Sequence, residues 1–176
     1  MKKRLSLIQM DVHVNEVEYN YVRVQELLSQ ALSEKPDIIV LPETWNTGFH
    51  PSKDLINISD RNGERTKALL SAFSKEHNVN IVGGSVAVAK EDLIFNTSYA
   101  YNREGTLVGE YSKMHGFSPA KENQYFASGT HTTHFELDGI PCSTVICYDI
   151  RFPELVRMAA LSNTELLFVP AQWPTM

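Results

Sequence analysis

The sequence predicts a layered α/β fold. Apolar strand-like runs alternate with segments of helical apolar spacing, the chain opens β-α-β, and neither an internal repeat nor a low-complexity linker breaks the alternation. Leu5-Ser6-Leu7-Ile8-Gln9-Met10 is short, apolar and partly alternating, as a first strand requires. From Asn15 to about Lys35, Val17, Tyr21, Val24, Leu27, Leu28 and Leu32 recur three or four residues apart, which predicts an amphipathic helix. Pro36 disfavours helical backbone at the residue before it and so ends that helix; Asp37-Ile38-Ile39-Val40-Leu41 follows as a strand apolar on both faces.

A loop rich in Asn, Gly, Pro and Ser runs from Asn46 to Gly63. The spacing predicts a second helix from Glu64 to about His77, with Ala68, Leu69, Ala72 and Phe73 facing inward. Val79 to Val88 reads as one strand, whose paired Gly83-Gly84 imply a bulge or a close backbone approach. Segments 96–101 and 106–111 flank Asn102-Arg103-Glu104-Gly105 as a hairpin. After a polar and aromatic loop from His115 to His134, Asp138-Gly139 turns into a strand that runs through Thr144-Val145-Ile146 and stops at Cys147. Pro153, whose fixed φ and missing N–H suit a first helical turn, opens a helix through Leu155, Val156, Met158, Ala159 and Leu161. Thr164 to Pro170 is a last buried strand. The sequence then stops at Trp173-Pro174-Thr175-Met176, where a covering helix is expected; an uncovered strand leaves apolar surface and an open edge, so the expectation is a fold truncated at its carboxyl end.

With 176 residues, 43% of them hydrophobic and 21% charged, the chain can bury a core of its own, and residues 1–176 are expected to form one domain. No apolar run approaches the roughly 20 residues that span a bilayer, and Met1-Lys2-Lys3-Arg4 leads into an alternating strand rather than a signal-peptide core. The expectation is a cytoplasmic protein without a membrane partner. A formal net charge of −5 and the lack of a basic stripe argue against nucleic acid. The two cysteines, Cys142 and Cys147, are five apart on one presumed strand and point to opposite faces, so a disulfide between them would be strained. Neither CxxC pairs nor an HExxH pattern occurs, so a zinc site is not suggested.

Three reactive groups arrive separately at the carboxyl ends of predicted strands: Glu43 after Leu41-Pro42, Lys113 after Tyr111-Ser112, and Cys147 after Ile146. Singly, each has a plain reading: Cys147 as a small packing residue, Glu43 facing solvent or a helix amino terminus, Lys113 as a solvated strand-end lysine. In open α/β sheets, however, ligands bind in the crevice outside the carboxyl ends of the strands, and the three chemistries fit together there. A thiol needs a base or a nearby cation to become a thiolate at neutral pH. A partly buried glutamate can shuttle that proton, and an ammonium together with the Tyr148 N–H can stabilise an oxyanion formed by sulfur attack on a carbonyl. His115, two residues after Lys113, is a rival base, and Arg151 and Glu154 are expected to fix the turn after Cys147 through charge and helix-start effects.

Leu41-Pro42-Glu43, the run from Tyr111 to His115, and the run from Cys147 to Glu154 resemble, in that order, the three signature segments of the carbon–nitrogen hydrolases, the nitrilase superfamily. Gly83-Gly84-Ser85, Phe95-Asn96-Thr97 and Pro170-Ala171-Gln172-Trp173-Pro174 add to the likeness. The resemblance implies a four-layer αββα sandwich of the nitrilase type that forms a homodimer and has a carboxyl-terminal part absent from this sequence. It also implies a catalytic triad of Glu43 as general base, Lys113 as electrostatic stabiliser and proton donor, and Cys147 as nucleophile, with Glu122 as a second glutamate shaping the pocket. The segments Pro42 to Gly48 and Lys113 to Phe117 look most like ω-amidases acting on monoamides of dicarboxylic acids such as 2-oxoglutaramate, although Gly116 stands where those relatives usually carry a bulkier apolar residue. The implied reaction releases acid and ammonia through a cysteine thioester and requires no metal or organic cofactor. Two other readings stay open at this stage: a catalytically inactive binding or assembly module on the same fold, and a Cys–His acyltransferase using His115.

Overall fold

The computed structural model describes residues 2–49 and 54–173, so part of the loop after Asn46 and the final Pro174-Thr175-Met176 lie outside the described residues. Strand β1 (Leu5–Leu7) is followed by α1 (Val17–Ala31), β2 (Ile38–Val40), the one-turn α2 (Leu55–Ile58), the two-residue β3 (Asp60–Arg61) and α3 (Glu64–His77). Next come β4 (Asn80–Val82), β5 (Val86–Lys90), β6 (Leu93–Tyr101), β7 (Leu107–Ser112), β8 (His134–Leu137), β9 (Ile140–Thr144), α4 (Pro153–Leu161) and β10 (Leu166–Phe168). The first seven strands form one sheet in the order β1-β2-β4-β6-β5-β3, with β7 also paired to β6. The remaining three form a second sheet, β10-β9-β8. Strands β1, β2 and β4 run parallel, as the β-α-β opening requires, and β6 is antiparallel to β4, β5 and β7.

Two apolar cores define the layers. The first joins Tyr21, Val24 and Leu28 of α1 and Leu70 and Phe73 of α3 to one face of the large sheet, through Ile39, Ile81, Val86, Val88 and Tyr99. Leu28 is fully buried there, and truncating it to alanine would cost about 2–5 kcal/mol. The second core lies between the sheets and joins Ile38, Val40, Val82 and Ala100 to Phe135, Leu137, Cys142 and Phe168. Because Cys142 and Phe168 occupy that inner face, the crossover from β9 to its parallel neighbour β10 carries α4 over the outer one, where Leu155 and Ala159 are buried. Helices, sheet, sheet and helix thus form the αββα layering that the resemblance implies. Both cysteines are free thiols.

Several local expectations are corrected. Val79 to Val88 is two strands, because Gly83-Gly84-Ser85 breaks the pairing. The loop from Asn46 to Gly63 contains α2 and β3, and the loop from His115 to His134 contains 3₁₀ turns at Ser118–Ala120 and Glu122–Gln124. The buried face of α3 is Thr66, Leu70, Phe73 and Ser74, with Ala68 and Ala72 exposed and Leu69 half-buried. Thr66 is drawn inward because its hydroxyl bonds the Tyr21 hydroxyl at 2.7 Å, a contact between helices that apolar spacing does not register. No helix among the described residues is long and apolar enough to cross a membrane.

Candidate active site

Glu43 leaves the carboxyl end of β2, a strand buried on both faces. The glycine break holds the segment in place: Ser85 N–H donates to Pro42 O at 3.0 Å, Trp45 N–H to Ser85 O at 3.1 Å, and Thr44 N–H to Ser85 Oγ at 3.0 Å. Gly84 has φ +61°, and a Cβ there would stand 2.0 Å from Pro42 O, so the paired glycines mark the close backbone approach their sequence implies. Lys113 follows β7 and continues its pairing with β6, its N–H donating to Asn96 O at 2.8 Å. The two-residue period of the strand puts Lys113 on the face of Tyr111 and Gly109, toward the second sheet, and it is buried.

Strand β9 ends at Thr144, and Cys147 opens a 3₁₀ turn, Cys147–Arg151, instead of ending the strand itself. Its φ of 46° lies in the left-handed region, strain of order 1–3 kcal/mol that surrounding bonds must hold. Cys147 N–H donates to Pro170 O at 2.9 Å and Asp149 N–H to Ile146 O at 3.0 Å; the amide between them, Tyr148 N–H, enters neither bond.

The side chains converge. Lys113 Nζ donates to Glu43 Oε1 at 2.8 Å and to Glu122 at 2.8 Å (Oε2) and 3.0 Å (Oε1). Asn96 Nδ2 donates to Glu43 Oε1 at 3.0 Å and to Glu122 Oε1 at 3.2 Å, so an ammonium and an amide both bridge the two carboxylates. Gln172 N–H donates to Glu43 Oε2 at 3.0 Å, and Phe117 N–H to Glu122 Oε2 at 2.7 Å. Both glutamates are fully buried. Burial pushes the Glu43 carboxyl up, with Lys113 opposing and Glu122 adding to the rise. Burial also pulls hardest on Lys113, downward, but the two carboxylates together outweigh it and the ammonium is held above its ordinary range. The Cys147 thiol is pushed up to about 12, first by burial and then by the negative charge of Glu43, against a smaller opposing pull from Lys113. A neutral thiol beside a carboxylate of raised proton affinity can hand over its proton as it attacks, and the ammonium can offset charge that develops on an oxygen.

The other expected residues fall as follows. Tyr148 is half-buried, its ring edge-on to Phe117 at 5.1 Å and to Phe152 at 5.6 Å. His115 is turned to Asp149, with Nδ1 2.8 Å from Oδ1, and stacks on Phe152 at 3.6 Å, outside the Glu43–Lys113–Glu122 cluster. Arg151 and Glu154 are exposed and form no ion pair among the described residues, but each has the helix-end placement expected of it, Arg151 in the last turn of Cys147–Arg151 and Glu154 in the first turn of α4. The buried Asp149 carboxylate adds a direct bond to the turn, accepting the Ile146 N–H at 3.0 Å. Asn96 and Asp149 are the residues the sequence reading left without a role. Asn96 stands at the first residue of the predicted strand beside the equally polar Thr97 and Ser98; only the structure, which starts β6 at Leu93, shows it as an interior strand residue. A cavity of about 670 Å³ lies beside this cluster, lined by Met10, Pro42, Phe49 and Gln172 among others; it meets the site through Pro42 and Gln172 and is not lined by Cys147.

Residues 4–176 match the family model described as carbon-nitrogen hydrolase. The chain is 37% identical to the 2-oxoglutaramate amidase of Bacillus subtilis over 174 residues, covering 99% of this chain and 66% of that protein. It is 30% identical to the omega-amidase NIT2 of Danio rerio, covering 96% and 63% respectively. The structure superposes on an amidase from Nesterenkonia sp. with a TM-score of 0.87 at 21% identity, over 98% of this chain and 66% of that one. A CN-hydrolase superfamily protein from Xanthomonas campestris gives 0.83 at 25% identity, over 98% and 66%. The chain therefore spans about two thirds of the length of these four proteins, 66% for the amidase from Bacillus subtilis. A family match over almost every residue, joined to this fold, establishes that the chain belongs to the carbon–nitrogen hydrolase family.

Proposed function

We propose that the chain carries the reactive centre of an amidase that converts a small linear amide to the acid and ammonia, with Cys147 as nucleophile, Glu43 as general base, Lys113 as electrostatic stabiliser and proton donor, and Glu122 and Tyr148 in support. The observation that carries this reading is the buried ammonium of Lys113, shared between Glu43 and Glu122, with the buried Cys147 packed against Tyr111 and Met114 of the same lysine segment. Glu43 takes the thiol proton as sulfur bonds to the amide carbon. The oxyanion rests against Lys113 Nζ and the Tyr148 N–H. As the C–N bond breaks, the proton returns through the Glu43–Lys113 pair to the leaving nitrogen, and ammonia departs from a thioester. Water then gives a proton to Glu43 and adds to the thioester carbon; the C–S bond breaks, the acid leaves, and the sulfur is reprotonated. These steps draw on side chains, one backbone amide and water.

The substrate class we propose is the ω-amide of a dicarboxylic acid, such as 2-oxoglutaramate. The names of the relatives from Bacillus subtilis and Danio rerio support it, as does the likeness of the Glu43 and Lys113 segments to ω-amidases. The Gly116 departure has a packing account: a Cβ at that position would stand 3.1 Å from the Asn123 backbone nitrogen, so the close turn that presents Glu122 favours glycine. We also propose a homodimer, in keeping with the exposed Ile150, Met158 and Leu161 on and beside α4. The test is incubation with 2-oxoglutaramate and with simple aliphatic amides, following ammonia and intact mass. The expected result is an acyl adduct on Cys147 and ammonia release, both lost in Cys147→Ala. Ammonia release that survives Cys147→Ala, or none from the wild type, overturns the reading. Loss on His115→Ala but not on Glu43→Gln would favour Cys–His chemistry instead.

A further inference from the structure

We infer that Asp149 is the positioning residue that sets the Cys147 turn against Lys113. Its carboxylate is fully buried and takes no part in the hydrolytic steps above. Four groups converge on it. Oδ2 accepts from Tyr111 Oη at 2.7 Å and from Ile146 N–H at 3.0 Å. Oδ1 accepts from His115 N–H at 2.9 Å and lies 2.8 Å from His115 Nδ1. The placement of these partners along the chain gives the inference its force. Tyr111 and His115 lie two residues before and two residues after Lys113, while Ile146 immediately precedes Cys147 and Asp149 follows it by two.

One carboxylate therefore ties both shoulders of the lysine segment, in the large sheet, to the turn that carries the thiol beyond the small sheet. Separations of 34 and 38 residues make these long-range bonds that no local turn supplies. The strained φ of 46° at Cys147 needs such a restraint, since a left-handed non-glycine residue persists where its surroundings over-determine it. His115 belongs to this brace. Stacked on Phe152, which follows the 3₁₀ turn, it restrains that turn from the other side.

The inference rests on the proposed roles of Lys113 and Cys147, and its test is built so that the two can fail separately. The readout is the rate at which iodoacetamide alkylates Cys147 at fixed pH, resolved by peptide mass, in a double-mutant cycle of Lys113→Ala with Asp149→Asn. With Asp149 present, Lys113→Ala is expected to slow alkylation about tenfold, because the ammonium favours the thiolate. With Asp149→Asn, the same change is expected to alter the rate less than about twofold, because the sulfur no longer sits against the lysine. Equal effects of Lys113→Ala in both backgrounds overturn the inference. If Asp149→Asn does not fold, Tyr111→Phe, which removes one donor and keeps the ring, takes its place in the cycle and is read by the same criterion. In amide turnover the expected signature of either variant is a kcat lowered by up to about 100-fold with KM within about twofold, as a misplaced reacting atom gives. Alkylation needs no amide substrate, so a wild type that hydrolyses nothing sinks the amidase reading and leaves the cycle to judge Asp149.

Discussion

Glu43 and Glu122 share one buried ammonium, and that sharing shapes the proton affinity of both Lys113 and Glu43. Lys113 stays charged because two carboxylates outweigh its burial, and Glu43 gains proton affinity because burial outweighs one shared cation. The same carboxylate raises the Cys147 thiol, so replacing it has two opposite effects. Glu43→Gln is expected to lower amide turnover by about 10²–10⁴-fold through loss of the base. Its removal of a negative charge beside the sulfur is expected to move the ionisation of Cys147 to lower pH, seen as iodoacetamide capture that begins at lower pH than in the wild type. Capture that shifts upward would contradict the electrostatic account. The sequence positions of Glu43 and Cys147 stood out because each follows an apolar run, and that of Lys113 because it follows the second arm of a predicted hairpin. The mutual bonding of Lys113, Glu122 and Asn96 was not legible, since a sequence holds no sign of which polar residues meet inside a sheet.

At the scale of elements, the break between β4 and β5 explains how a carboxylate can leave a doubly buried strand and still be held in place. Ser85 bonds the backbone of residues 42, 44 and 45, and the glycine before it lets the two segments touch. Gly84→Ala is expected to destabilise the protein by at least about 1–3 kcal/mol from backbone strain, with the contact to Pro42 O adding to it. The measurement is denaturant unfolding, with amide turnover as a second reading, because relief of the clash displaces Glu43. Unfolding at wild-type denaturant concentration would refute this. The paired glycines announced an irregularity in the sequence, but not that the strand stops there. The face of α3 was misjudged for a related reason: alanines and leucines mark a helix, whereas a threonine bonded to another helix decides which side turns inward.

Across the whole molecule, the two sheets are joined at both ends. The site joins them beyond the carboxyl ends of the parallel strands, and at the opposite end Arg103 in the β6–β7 turn donates to Asp138 at 2.8 and 2.7 Å and to Asp37 at 2.9 Å, with Lys3 also on Asp138 at 2.7 Å. Arg103, chiefly, holds the Asp138 carboxyl below its ordinary range; for Asp37 the Arg4 backbone N–H is the main cause and the nearby cations add to it. A carboxyl whose folded affinity for protons is lowered contributes stability above its ordinary pKa of about 4, and that contribution is lost as pH falls through and below this value. The expected profile is a melting temperature that is level near neutrality and falls as acid is added below about pH 4. Arg103→Ala is expected to lower the neutral plateau and flatten part of the acid slope; an unchanged slope in that variant would remove this network from the account.

By itself the sequence determined the alternation of strands and helices, the family, and the strands after which a carboxylate, an ammonium and a thiol follow. These are local properties, carried by periodicities of two and 3.6 residues and by what interrupts them. Only the tertiary structure decided that Lys113 lies between Glu43 and Glu122, that Asn96 bridges the same pair, and that Asp149 bonds the Cys147 turn. These hydrogen bonds, the longest in sequence joining residues 70 positions apart, depend on how the strands order and the two sheets pack, and in a buried site that packing also sets which charges persist.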